Sequence, residues 1–123
     1  MRPVLLMAAV WLLSAVSAQA QDAVKVDPKH YKVELENDRV RVLRISYGPG
    51  EESVMHEHPA NIAVFLTDGQ VKFTQPDGKS QELPMKAGTT AWGASEKHLP
   101  ENVGDKPFEL ILVELKSRPA SGE

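Results

Sequence analysis

The chain has 123 residues, with 14 Lys and Arg against 17 Asp and Glu, a net charge of −3 and no cysteine. A mildly acidic chain without a basic cluster lacks the electrostatic footprint of a binder of nucleic acid or anionic membranes. The absence of cysteine removes disulfides, thiolate nucleophiles and Cys-based zinc sites, so stability falls to the core, a metal or a second subunit.

Residues 1–20 read as a secretory signal peptide. Arg2 supplies the positive start, Val4 to Leu13 is apolar throughout, and Ala18-Gln19-Ala20 is a small-x-small cleavage site before Gln21. A retained anchor is the alternative, but the apolar stretch is shorter than the roughly 20 residues a spanning helix needs. Removing those 20 residues from 123 leaves 103, and since Arg2 goes with them, 13 bases face 17 acids for a net −4. The expectation is one domain at 21–123, with its core at about 31–116, in a periplasmic or secreted protein.

After a loose tail at 21–28, the chain shows no 3.6-residue apolar stripe. It reads as short strands at 31–36, 39–47, 54–58, 62–67, 70–75, 80–83, 89–93, 97–99 and 108–116, followed by a second loose tail at 117–123. Between the strands lie Asn37-Asp38, Gly48-Pro49-Gly50, Asp68-Gly69, Pro76-Asp77-Gly78, Lys86-Ala87-Gly88 and the turn-rich stretch Asn102 to Pro107. Asp-Gly pairs supply the positive φ of tight hairpins, and Pro-Asp-Gly presets a turn. So many short strands predict an all-β protein, an antiparallel sandwich or barrel. Ile62 to Leu66 and the strand at 108–116 are apolar on both faces: Phe108, Leu110 and Leu112 line one, Ile111, Val113 and Leu115 the other. A strand buried on both faces has something packed outside it. The expectation is a homodimer formed by sheet packing, with the strand near Tyr31 to Leu35 covering the rest of the outer face. Coverage by that strand alone, in a monomer, is the alternative.

His56 and His58 form an H-x-H pair on a strand, where side chains two apart share a face. Two imidazoles side by side are half of a tetrahedral metal site, and imidazole is the commonest metal ligand among side chains. His98 follows 40 residues later in another strand-rich region. Of the remaining residues, His30 reads as a surface or strand-edge group and Phe65, Phe73 and Trp92 as core. Glu57 faces away by parity. Asn61 and Glu101 are in reach of the pocket rim, although solvated surface is the plainer reading for both.

With Gly50, His56, His58 and Gly69 at the spacing G-x5-H-x-H-x10-G, the chain resembles the cupins, small antiparallel jelly-roll β-barrels built from two sheets. Pro59 after the second histidine fits as well. The family's second motif survives as His98 and Asn102, with Gly93 and Ser95 in place of its proline and glycine, and the resemblance spans roughly residues 40–115. It implies a divalent metal held by His56, His58 and His98, the metal being iron, manganese, zinc, copper or nickel without distinction. The family's metal-binding glutamate is replaced by Ile62, which strand parity would aim into the same pocket. Some cupin-like dioxygenases use three histidines, so the resemblance implies a metal-dependent dioxygenase or isomerase acting on a small molecule. The alternative is a non-catalytic module that binds a metal or small ligand. No nucleophile motif, phosphate-binding loop or dinucleotide fingerprint is present, so catalytic residues beyond the ligands are not named.

Overall fold

The computed structural model describes residues 21–117. One helical turn, α1 (Ala23–Val26), precedes nine strands: β1 (Tyr31–Glu36), β2 (Val40–Tyr47), β3 (His56–His58), β4 (Asn61–Phe65), β5 (Gly69–Thr74), β6 (Ser80–Met85), β7 (Thr90–Gly93), β8 (Glu96–Asn102) and β9 (Phe108–Leu115). They form two antiparallel sheets, ordered β1-β2-β9-β4-β7 and β3-β8-β5-β6. The all-β jelly-roll expectation holds. β8 is longer than the 97–99 read from the sequence because it is paired on both sides: residues 96–98 with β3 and residues 99–102 with β5.

Strict alternation builds the core. Phe108, Leu110, Leu112 and Glu114 of β9 point inward, and Leu43, Ile45 and Tyr47 of β2 join them. Burying each large apolar side chain of this set contributes about 1.5–3 kcal/mol. The turn chemistry is partly as expected. Gly78 has φ +86, the left-handed conformation that Pro76-Asp77-Gly78 sets up. Gly69 instead has ordinary backbone, and its missing side chain lets Phe108 approach: an added Cβ would lie 3.0 Å from the Phe108 Cβ.

Four expectations are corrected. Residues 21–28 are no loose tail: Ala23 is fully buried and the Gln21 carbonyl accepts a hydrogen bond from the Glu57 N–H at 2.8 Å. His30 is buried, donates from Nδ1 to Asp27 at 2.7 Å and stacks flat on Tyr47 at 4.1 Å. Trp92 is 65% exposed, since it sits on edge strand β7 with Ile62 as its outward cross-strand partner. The strand near Tyr31 extends the sheet beside β2 instead of covering its outer face, so Ile111, Val113 and Leu115 remain half-buried. Residues 1–20 and 118–123, with the expected signal peptide and the end of the second tail, lie outside the described residues. No helix among the described residues is long and apolar enough to cross a membrane.

Candidate metal centre

Two neighbouring strands bring the three histidines together. His56 and His58 share the inward face of β3, and the antiparallel register sets His98 of β8 directly opposite His56. Ring centroids are 4.7 Å apart for His56 and His58, 4.9 Å for His56 and His98, and 5.4 Å for His58 and His98. One ring nitrogen of each lies within 4.8 Å of the others. Small side-chain rotations close that spacing toward imidazole ligation, with nitrogens about 2.0–2.1 Å from a zinc-like ion. The three residues form a group that could hold a metal.

Hydrogen bonds fix which nitrogen each ring offers. Nδ1 of His56 faces the Val54 carbonyl at 2.9 Å, Nδ1 of His58 a Glu114 oxygen at 2.7 Å, and Nδ1 of His98 a Glu96 oxygen at 3.0 Å. Each partner is an acceptor, which assigns the ring proton to Nδ1 and leaves Nε2 as the lone-pair nitrogen of each ring, that of His56 being in reach of the Tyr31 hydroxyl at 3.1 Å. Burial, reinforced by His58 and His98, pushes the His56 pKa down to about 3. Burial and then His58 push His98 down to about 4, against the opposing pull of Glu96. Both rings are therefore neutral near pH 7, the form that ligates metals. The donor set, three imidazoles whose ring nitrogens lie within 4.8 Å of one another, fits a divalent ion.

Residues that the sequence reading passed over support this set. Glu114 is 2% exposed and bridges His58 to Arg41, whose Nε donates to it at 2.7 Å. Burial works to raise the Glu114 pKa, but the hydrogen bonds from His58 and Arg41 outweigh it and hold the carboxyl below its ordinary value. The Tyr31 hydroxyl lies 3.1 Å from Nε2 of His56 and 2.5 Å from the Tyr47 hydroxyl. Burial raises the pKa of both phenols, so each remains protonated. Glu114 had a legible signal, an acid on the inward parity of an apolar strand; Tyr31 had none.

Ile62 does not face this centre. β3 and β4 belong to different sheets, and the crossing at Pro59 and Ala60 resets the parity that strand counting had carried from His58. Asn61 and Ala63 point inward and are buried, whereas Ile62 points outward and is 39% exposed. The Asn61 amide donates to the Pro59 carbonyl at 2.9 Å. Glu101 pairs with Lys72 at 4.0 Å and bridges Glu52 through the backbone, away from the histidines. Asn102 of the second motif is fully buried and ties the following loop, donating to the Lys106 carbonyl at 2.9 Å and accepting from the Gly104 N–H at 2.9 Å.

His58 and His98 also line a cavity of about 410 Å³ between the sheets, with Tyr31, Ala63 and Phe73. Phe73 stacks on His98 at 4.8 Å. Among the described residues no Lys or Arg lines this cavity, and the one lining carboxylate, Glu96, is engaged by His98.

The model of the cupin domain matches residues 43–114, more than half of the chain. The chain belongs to the cupin family. Among solved structures, it resembles a cupin domain from Bordetella pertussis with 26% identity over 71% of this chain and 92% of that one, at a TM-score of 0.66. A Klebsiella pneumoniae protein with a double-stranded β-helix domain aligns at 25% identity over 72% and 84% of the two chains, with a TM-score of 0.55. A cupin from Methanocaldococcus jannaschii, 18% identical over 72% and 83%, shares the fold at a TM-score of 0.54. No protein of curated function matches this cupin.

Proposed function

We propose that this cupin is an exported metalloprotein that holds one divalent ion on Nε2 of His56, His58 and His98 and acts on a small molecule in the adjoining cavity, as a dioxygenase or an isomerase. The observation that carries the reading is that all three Nδ1 atoms are engaged by acceptors while the ring nitrogens of the three residues converge. When bound, the ion supplies Lewis-acid or redox chemistry at its open positions. The protein supplies orientation and exclusion of water. Tyr31 offers a protonated hydroxyl beside His56, able to donate to a polar group of a ligand, and Phe73 with the core side chains offers an apolar wall. A cavity with no cation of its own suits an uncharged, largely apolar molecule with one metal-seeking polar end. Metal analysis of untagged protein, followed by oxygen uptake over a panel of such molecules, tests the reading. Protein without stoichiometric metal, or metal binding that survives alanine at all three histidines, would refute it.

A specific observation favours the second reading, a non-catalytic binding module. Among the described residues, the cavity's one carboxylate is engaged by His98, so apart from the phenols none of them offers the ligand a free acid or base. Metal and ligand binding without turnover of any panel member would select this reading.

Export rests on the leader pattern of residues 1–20. A homodimer is supported by a row of apolar cross-strand neighbours on the outer face of the five-stranded sheet: Leu35, Val42, Val113, Ile62 and Trp92, one from each strand. Three of these, Leu35, Ile62 and Trp92, are exposed, and a continuous outer row of this kind marks interfaces.

A further inference from the structure

Two chains of hydrogen bonds run from the N-terminal residues to the histidines. In the first, Asp22 grips Arg41 with both oxygens, at 2.8 Å to Nη1 and 2.7 Å to Nη2. Arg41 passes the contact through Nε to Glu114, and Glu114 accepts from His58. In the second, Asp27 accepts from the Ser53 hydroxyl at 2.6 Å and from His30 at 2.7 Å. Ser53 thus spends its only proton on Asp27, so its oxygen can only accept from Nδ1–H of His56, 3.2 Å away, as a second acceptor beside the Val54 carbonyl at 2.9 Å. Asp27, His30, Ser53, His56 and His58 are all buried. The segment is held in place by α1, capped by the Asp22 side chain on the Val24 N–H, and by the pairing of Asp22 with Glu57, the residue between the two histidines.

We propose that residues 21–30 form a strap that belongs to the metal centre, with Asp22 and Asp27 as positioning residues that fix the ring orientation and tautomer of His58 and His56. The inference rests on the reading of the three histidines as a metal site. Carboxylates that hold the far nitrogen of a ligating imidazole orient the ring and raise its basicity, and losing such a partner lowers metal affinity by about 10–100-fold. Asp22 acts on His58 through two intermediates: it sets the position of Arg41, which otherwise pulls Glu114 without a counterweight. Asp27 acts on His56 by committing the Ser53 proton. The two chains share no residue but meet at His56 and His58, whose rings are 4.7 Å apart, so the double substitution should lose more than either single one without the losses being independent.

The test uses the full chain and its Asp22→Asn, Asp27→Asn and doubly substituted forms, with Glu109→Gln as a control. Glu109 pairs with Arg44 on the sheet exterior, away from the histidines. Asparagine at 22 keeps one acceptor oxygen for the helix cap, removes the charge and turns an amide N–H toward one of the two Arg41 donors. Cobalt(II) is titrated against a chromophoric competitor, and the visible bands of the bound ion report ligand geometry. In metal-free protein, side-chain nitrogen NMR reports the tautomers of His56 and His58, and circular dichroism reports folding. The expected result is a loss of about 10-fold or more in cobalt affinity for each single variant, a larger loss for the double, altered cobalt bands, and mixed tautomers at His58 for Asp22→Asn and at His56 for Asp27→Asn. Glu109→Gln should match the parent. Folded variants with parental affinity, bands and tautomers would overturn the strap. A parent that binds no cobalt would sink the metal reading instead, and the tautomers would still decide whether the strap orients the rings.

Discussion

Replacing Glu114 by glutamine removes one charge while keeping shape, at a side chain that is 2% exposed and accepts from two donors, Arg41 Nε and His58 Nδ1, each at 2.7 Å. The amide carbonyl can serve one donor, and the amide N–H then confronts the other. One charge-assisted hydrogen bond is lost, worth about 1.5–3 kcal/mol. Arg41 keeps both bonds to Asp22, so its charge is not stranded and the cost stays below the 3–5 kcal/mol of an orphaned buried ion. The expected loss is about 2 kcal/mol, or about 8–16 °C in Tm for a domain of this size. Urea denaturation of metal-free protein, followed by circular dichroism, measures it. The folded Glu114 pKa is lowered, so its stabilisation is present above the unfolded carboxyl pKa and is lost as pH falls through the folded value. Protonated glutamate then resembles glutamine, and the gap between the two proteins should narrow with acidification. A difference under about 0.5 kcal/mol at pH 7, the range of ordinary surface substitutions, would show that Glu114 does not hold His58 and Arg41 in solution.

Metal-free protein should lose stability on acidification below pH 6.5, because His56 and His98 are held at about 3 and about 4 in the fold against an ordinary 6.5. Unfolded chain takes up those protons first, giving a slope of up to about 1.4 kcal/mol per pH unit for each ring, visible in urea midpoints between pH 6.5 and 4.5; a flat profile there would contradict buried neutral rings. Ile62→Glu should leave cobalt affinity within about two-fold of the parent, since residue 62 faces outward, yet it should weaken the proposed homodimer in light scattering. Tighter cobalt binding in that variant would return position 62 to the metal. Gly93→Ala would place a Cβ 2.5 Å from Asn61 Oδ1 and 2.8 Å from its Nδ2, forcing Asn61 off the Pro59 carbonyl. Such overpacking costs about 1–3 kcal/mol in thermal or urea unfolding, and an unchanged midpoint would refute the contact.

Period-two alternation and turn chemistry were enough to read an all-β chain, because a strand that buries one face must alternate whatever it packs against. The same rule put His56 and His58 on one face, and family spacing added His98. It failed at Ile62 for a definite reason: parity holds only within a continuous strand, and the chain changes sheets between His58 and Asn61. Glu114 was legible as the fourth inward residue after Phe108, Leu110 and Leu112, but its role depends on the register that pairs it with Arg41 of β2 and Asn61 of β4. Asp22, Asp27, His30 and Tyr31 lay beyond sequence reasoning, because their partners are up to 26 residues away and local pattern carries no trace of them. Local sequence thus determined which residues form strands and which could ligate. Tertiary structure alone decided which groups orient those ligands, because a hydrogen bond across the core is set by how the sheets pack, and packing is a property of the whole chain.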